Sequence, residues 1–443
     1  MDTNRARERS DIAVRERSGH MTDQVVVIGV GRVGLPLGLV LAESGFNVVG
    51  IDINQTYVDR ILGGEAPFKE EGLEQYLGRY LGRGFLPTTN WEAVRDANYL
   101  IITVGTPVDE NLNPVLTDLY NVISLVAPRL KAGQTIILRS TVSPHTTARM
   151  AQLIEASTSL KVGEDIFLAF CPERIAEGRA FSELKSLPQI IGGVEPRSSH
   201  MASRLFERLN VQCLETDDLS AELAKLMTNM FRYIQFAIAN EFFMLCQDQG
   251  RNFNEVRQLI NTSYSRGGVP AAGFSAGPCL FKDGFFLLES VPYTELIANS
   301  WRINEGVPNY LVAEMEHRKP LPGATVAILG MAFKADSDDT RQSLSFRMKK
   351  ILEGKGALVL PTDPYVPDYA GLALEEVVPR ADVIVIAVPH RIYLSDVRRV
   401  LVEMAQDDVL VCDMWGVCGV PQAVFFVKDL KADAELRVEG MLQ

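Results

Sequence analysis

A chain of 443 residues exceeds the size at which a single hydrophobic core stops growing, so two or three domains are expected. With 47% apolar and 23% charged residues the composition is that of a soluble globular enzyme, and no apolar run reaches the length needed to span a bilayer. A net charge of −12 argues against general nucleic-acid binding, which rests on clustered Lys and Arg, but leaves room for a phosphate-bearing small molecule.

The first 20 residues are polar and Arg-rich with no apolar core of a secretory signal; they read as a disordered arm, and Met21 is an alternative start. From residue 24 onward short β-branched runs alternate with amphipathic stretches, the pattern of βαβ units and a parallel sheet. Strands are expected over 25–29, 48–52, 99–104, 135–139, 166–170 and 189–192. One long helix follows over 220–249. A charged, Pro-bearing stretch over 314–323 reads as a linker, and β-type runs return at 325–329, 358–360, 383–388 and 409–413. The expected division is an arm (1–20), a dinucleotide-binding domain (21–215), a helical domain (216–317) and a second, smaller α/β domain (318–443). The fold class is α/β: two Rossmann-like doubly wound parallel sheets joined by a helical middle. Cys171, Cys213, Cys246, Cys279, Cys412 and Cys418 show neither zinc-type pairing nor the density of a disulfide scaffold, and without an export signal reduced thiols in the cytoplasm are the expectation.

The first strand runs into Gly29-Val30-Gly31-Arg32-Val33-Gly34 and then an apolar helix. Gly29 permits the tight turn, Gly31 lets the backbone approach a pyrophosphate, and Gly34 lets helix and strand pack closely. The motif alone is weak, but Asp52 closes the next strand where an acid hydrogen-bonds the adenosine ribose and repels a 2′-phosphate, favouring NAD over NADP. The second α/β domain has Gly330-Met331-Ala332-Phe333-Lys334 at its first turn, which departs from that fingerprint and points to a different ligand.

Three further segments carry chemistry. Cys171-Pro172-Glu173-Arg174 follows a strand, placing Glu173 at the carboxyl end of the sheet. In Glu222-Leu-Ala-Lys225-Leu-Met-Thr-Asn229, Lys225 and Asn229 share a helix face, although the bland reading pairs Lys225 with Glu222 in solvent. In Gly277-Pro278-Cys279-Leu-Phe-Lys282-Asp283 a thiol stands beside a cation that would lower its pKa, whereas the bland reading is an inert buried Cys.

In this order, and with Gly105-Thr106-Pro107, Ser140-Thr141-Val142 and Gly330 to Arg341, these segments resemble the UDP-glucose/GDP-mannose dehydrogenase family over residues 24 to about 420. The resemblance implies a four-electron oxidation of the sugar C6 alcohol by two NAD in succession. It assigns Lys225, Asn229 and Asp283 to hold a water that takes the hydroxyl proton, Cys279 to form a thiohemiacetal and then a thioester, and Glu173 with Thr141 to assist hydrolysis. It carries over Gly29, Val30, Gly31, Val33, Gly34, Asp52, Thr106, Thr141, Glu177 and Arg341 to NAD, and Glu173, Arg174, Lys225, Asn229, Phe274, Gly277, Phe333 and Lys334 to the nucleotide sugar; no metal is implied. Arg174 stands where family members acting on UDP-glucose or GDP-mannose typically carry Phe and those acting on UDP-N-acetylhexosamines carry Arg. That favours UDP-N-acetylmannosamine or UDP-N-acetylglucosamine, with UDP-glucose the alternative. Trp415 stands where UDP-glucose members usually place an Arg. The family dimerises through its central helix, and here Phe231, Ile234, Phe236, Ile238 and Phe242 fit such a use. Two other readings are a two-electron β-hydroxyacid dehydrogenase, which needs neither the Cys nor residues 324–420, and a non-catalytic nucleotide-sugar sensor.

Overall fold

The computed structural model describes residues 23–288 and 295–432. The arm over 1–20 lies outside the described residues. Two compact units emerge: the described residues up to Thr106 together with Val115–Leu223, and Pro107–Pro114 together with the described residues from Ala224 onward.

The first unit is built on an eight-stranded sheet: β1 (Gln24–Ile28), β2 (Asn47–Ile51), β3 (Phe85–Thr88), β4 (Tyr99–Ile102), β5 (Thr135–Leu138), β6 (Phe167–Phe170), β7 (Gln189–Gly193) and β8 (Cys213–Asp217), in the order β3-β2-β1-β4-β5-β6-β7-β8. Strand side chains alternate between faces, so Val25 and Val27 pack into one apolar layer while Val26 and Ile28 pack into the other. Burial on both faces explains why these strands read as continuous apolar runs. The order reverses direction about β1 and β4, the kind of switch point where open α/β sheets bind ligands. The sheet is mostly parallel, as expected, with one departure: β7 pairs antiparallel with β6, and β8 then runs parallel to β7. β3 and β8 escaped the sequence reading. The first is short and contains Pro87; the second, Cys-Leu-Glu-Thr-Asp, is polar and largely exposed at the sheet edge.

The second unit carries most of the long helix Asp218–Asp248, close to the expected 220–249, whose first residues belong to the first unit. Its own sheet is β9 (Thr325–Leu329), β10 (Leu358–Thr362), β11 (Val383–Ile386), β12 (Leu410–Cys412) and β13 (Val424–Phe426), ordered β10-β9-β11-β12-β13. The last strand, again missed, pairs antiparallel with β12. The expected linker over 314–323 begins too early: helix Glu295–Glu316 runs through Glu314 and accommodates Pro308. No helix among the described residues is long and apolar enough to cross a membrane.

Candidate functional site

In the first unit the glycine turn divides by physical cause. Gly29 has φ +90°, which only glycine adopts freely. A Cβ on Gly34 would lie 1.9 Å from the Gly29 carbonyl oxygen, so contact between turn and helix demands its glycine. A Cβ on Gly31 would meet nothing within 4 Å. Packing gives Gly31 no reason to be glycine, and close approach of a pyrophosphate does. Val33 precedes helix Gly34–Glu43, and the Val33 and Gly31 carbonyls accept the Leu37 and Leu35 amides at 3.3 and 3.0 Å, continuing the turn directly into the helix. Asp52 accepts the Val30 amide at 3.1 Å and the Asn54 amide at 3.0 Å, fixing its carboxylate beside the turn. The Tyr57 hydroxyl donates to the Val30 carbonyl at 3.2 Å, and burial with the Asp52 charge pushes its pKa upward. These residues fit a dinucleotide.

Around this turn, Arg32 pairs with Glu177 at 2.7 Å, and the Thr106 hydroxyl donates to the Thr141 carbonyl at 2.6 Å. Glu173 is buried. Its Oε2 accepts Nε and Nη2 of buried Arg139 at 2.8 and 2.6 Å, and its Oε1 accepts the amides of Arg174 and Ile175 at 2.7 and 2.9 Å. Arg139, the residue before Ser140-Thr141, is the anchor of Glu173. The Arg174 guanidinium donates to the Pro188 carbonyl.

Glu222 does not pair with Lys225 on an exposed face. It is fully buried in the first turns of the long helix and accepts the His145 amide at 2.6 Å and the Thr147 amide and hydroxyl at 2.7 and 2.6 Å. It thereby caps helix Thr146–Ser157 just after Ser140-Thr141-Val142. No signal in the sequence distinguished this use from a surface charge.

In the second unit Lys225, Asn229 and Asp283 are all buried. The Asn229 amide donates to Asp283 Oδ2 at 2.6 Å, and Asp283 Oδ1 has no hydrogen-bond partner among the described residues. Cys279 is one turn before Asp283, and its carbonyl accepts the amides of Lys282 and Asp283 at the start of helix Leu280–Leu288. Cys279 is exposed as a residue, although the protein around it desolvates its sulfur. The expectation of a lowered pKa fails, however. Protein packed around the thiol withholds solvation and Asp283 adds its negative charge, together outweighing Lys225, Lys282 and Arg341 and holding the pKa above the ordinary thiol value. Lys282 lies with its ammonium 5.0 Å from the Phe286 ring centroid.

Phe333 packs against Gly277, where a Cβ would come within 2.6 Å of its ring; Gly277 has φ +102°. Phe274 meets Trp415 edge to face at 6.5 Å, and the indole covers Gly273 so closely that a Cβ there would lie 2.0 Å from it. Trp415 thus supports the backbone leading to Cys279. Arg341 grips Asp339 through Nε at 2.9 Å and through Nη2. Lys334 lies in the same turn as Phe333.

The chain matches the UDP-glucose/GDP-mannose dehydrogenase family in three consecutive segments: the NAD binding domain over residues 23–210, the central domain over 219–306 and the UDP binding domain over 327–419. The chain belongs to this family. As a member it is an NAD-dependent oxidoreductase acting on a UDP-linked sugar, as its motifs implied. Among relatives, UDP-N-acetyl-D-mannosamine dehydrogenase of Pyrococcus horikoshii is 36% identical over 83% of this chain and 89% of its own. NDP-N-acetyl-D-galactosaminuronic acid dehydrogenase of Ralstonia nicotianae is 31% identical over 83% and 90%. The solved Pyrococcus horikoshii enzyme superposes with a TM-score of 0.82 at 34% identity, covering 86% of this chain and 93% of that one. The Staphylococcus aureus UDP-N-acetyl-mannosamine dehydrogenase gives 0.75 at 29% identity, covering 84% and 90%.

Proposed function

We propose that the chain oxidises the C6 hydroxyl of a UDP-N-acetylhexosamine, UDP-N-acetylmannosamine first among them, to the uronate. Each turnover consumes two NAD and one water and releases two NADH and three protons. The observation that carries this reading is Asp283: a fully buried carboxylate with one oxygen bonded to Asn229, the other without a hydrogen-bond partner among the described residues, one turn from an exposed cysteine. A buried acceptor left unsatisfied is costly unless a bound molecule meets it. The N-acetylhexosamine is supported by Arg174 and by the names of the two relatives, each of which carries an N-acetylated sugar.

NAD, held by Gly29, Val30, Gly31, Val33, Gly34, Asp52, Thr106, Thr141, Glu177 and Arg341, supplies hydride acceptance when bound. Asp283, Asn229 and Lys225 hold a water that takes the proton of the C6 hydroxyl. The Cys279 sulfur, as thiolate, attacks the resulting aldehyde carbon; Lys225 stabilises the oxyanion that forms. After the second oxidation the carbon is a thioester, and water, assisted by Glu173 and Thr141, adds to it and expels the Cys279 thiolate. Arg174, Phe274, Gly277, Phe333 and Lys334 bind the nucleotide sugar, with the division at 21–215, 216–317 and 318–443 separating NAD, dimer and UDP functions. We place the enzyme in the cytoplasm as a homodimer; the unpaired cysteines favour the first and the exposed apolar seam of the long helix the second.

The test is NADH formed per UDP-N-acetylmannosamine consumed, with UDP-N-acetylglucosamine and UDP-glucose in parallel and Cys279→Ser beside each. Two NADH per sugar, abolished by the substitution, is expected. One NADH, insensitive to it, would sink the thioester route and leave a simple alcohol dehydrogenase.

A further inference from the structure

The two α/β sheets treat the same position in opposite ways. After β1, Gly29 (φ +90°) is followed by Val30, whose amide is taken by Asp52 at the end of β2; after β9, Gly330 (φ +102°) is followed by Met331, whose amide is taken at 2.7 Å by Asp363 at the end of β10. Asp52 remains partly exposed, as an acid meant for a ribose must. Asp363 is fully buried and covered by His390, equally buried, which follows β11. Asp363 Oδ2 also accepts the Ala332 amide at 2.9 Å and lies 3.1 Å from His390 Nε2, while Oδ1 takes the Tyr365 and Val366 amides at 2.8 and 3.2 Å. Burial works to raise the Asp363 pKa, and the His390 bond with these amides outweighs it, leaving the carboxyl ionised.

His390 Nδ1 accepts the Asp336 amide at 2.9 Å, so the imidazole carries its proton on Nε2 and donates it to Asp363. Asp336 has φ +59°, a conformation that costs a non-glycine residue about 1–3 kcal/mol and persists only where neighbours enforce it. Both ends of the Phe333-Lys334 segment therefore hang on one imidazole-carboxylate pair: Met331 and Ala332 on Asp363, Asp336 on His390. Phe333 in turn rests on Gly277, two residues before Cys279.

We infer that His390 is a positioning residue for the nucleotide sugar: it closes the turn after β9 against a dinucleotide and holds Phe333 and Lys334 where they meet the UDP-sugar. This rests on the nucleotide-sugar reading above. The test uses the full-length enzyme with His390→Leu, His390→Gln and His390→Asn, reading UDP affinity by calorimetry, KM for UDP-N-acetylmannosamine and for NAD, and amide hydrogen exchange. His390→Leu is expected to weaken UDP binding and raise the sugar KM by about tenfold or more, equivalent to about 1.4 kcal/mol, while the NAD KM stays within about twofold. Exchange should quicken over 331–342 with the sheet amides still protected. His390→Asn, which keeps an acceptor for the Asp336 amide, should recover most of the affinity. Unchanged UDP affinity with a protected sheet, or an equal rise in the NAD KM, overturns the inference. Should His390→Leu lose sheet protection, His390→Gln, whose amide does not reach both partners at once, must show the selective UDP defect with an intact sheet; if it does not, the inference fails. A wild-type enzyme that binds no UDP would instead overturn the nucleotide-sugar reading itself.

Discussion

Asn229 donates its side-chain amide to Asp283 at 2.6 Å, and the other oxygen of that fully buried carboxylate has no partner among the described residues. The arrangement is poor for stability and suited to holding a water. Asp283→Asn should therefore cut kcat by about 10²–10⁴-fold, the usual range for losing a general-base group. Its denaturation midpoint should not fall, because an incompletely bonded buried charge has been removed. Asn229→Ala strips the carboxylate of its donor and should cost about 1–3 kcal/mol of stability as well as activity. An Asp283→Asn enzyme turning over at the wild-type rate would remove Asp283 from the chemistry.

Cys279 gives a pH dependence with a definite sign. Its pKa is raised by desolvation first and Asp283 second, and opposed by Lys225. Alkylation of the free enzyme by iodoacetamide, followed on the Cys279 peptide by mass spectrometry, should accelerate with pH to a midpoint above that of an ordinary thiol. Asp283→Asn should move the midpoint down and Lys225→Met should move it up. The stability linkage has the same origin: a proton held more tightly in the folded state favours folding below the ordinary thiol pKa, and that contribution is lost as pH rises through the raised value. A midpoint below the ordinary thiol range would mean that the three cations dominate after all.

The three glycines of the dinucleotide turn should separate by phenotype. Gly31→Ala places its Cβ in open space, so stability should be unchanged while NAD binding weakens by about tenfold or more, the loss of roughly 1.4 kcal/mol of pyrophosphate contact. Gly34→Ala drives its Cβ to 1.9 Å from the Gly29 carbonyl, and here thermal stability and NAD affinity should fall together. Equal loss of stability in both variants would show that Gly31 serves packing rather than the cofactor.

Legibility in the sequence followed the range of the interaction. The glycine turn, Asp52 and the buried strands announce themselves through local pattern, because burial on both faces and positive φ leave marks at fixed spacing. Arg139 and Glu222 did not: each acts on residues distant in sequence, Glu173 and Thr147, and a charged residue that will be buried looks the same in sequence as one that will be solvated. β8 was hidden for the opposite reason, since in a largely exposed edge strand of Cys, Leu, Glu, Thr and Asp no apolar alternation signals it. Lys282 lowers the Cys279 pKa as its place in the sequence suggests, but desolvation, a property of the folded surround, and the Asp283 charge outweigh it. Trp415, noted as a departure, proved to be a packing partner of Gly273 and Phe274.

The long helix exposes Met227, Phe231, Ile238, Phe242 and Leu245, with Phe231 64% exposed, and half-buries Ile234. These positions recur with the three- and four-residue alternation of a helix seam, whereas Tyr233, Ala237 and Phe243 on the other side are buried in the core. Of the residues expected at a contact face, Phe231, Ile238 and Phe242 are exposed and Ile234 is half-buried along this seam, while half-buried Phe236 falls outside it. An apolar stripe left open along a helix of this length is what a second copy would cover, each copy presenting the same face in an isologous dimer. Replacing Phe231 and Ile238 together by Glu should shift the mass in light scattering from dimer to monomer at micromolar concentration, weakening association by about 100-fold or more, since two charges would have to be desolvated at the contact. Secondary structure by circular dichroism should be retained, because neither side chain supports the core. A double variant that remains dimeric would place the interface elsewhere on the chain.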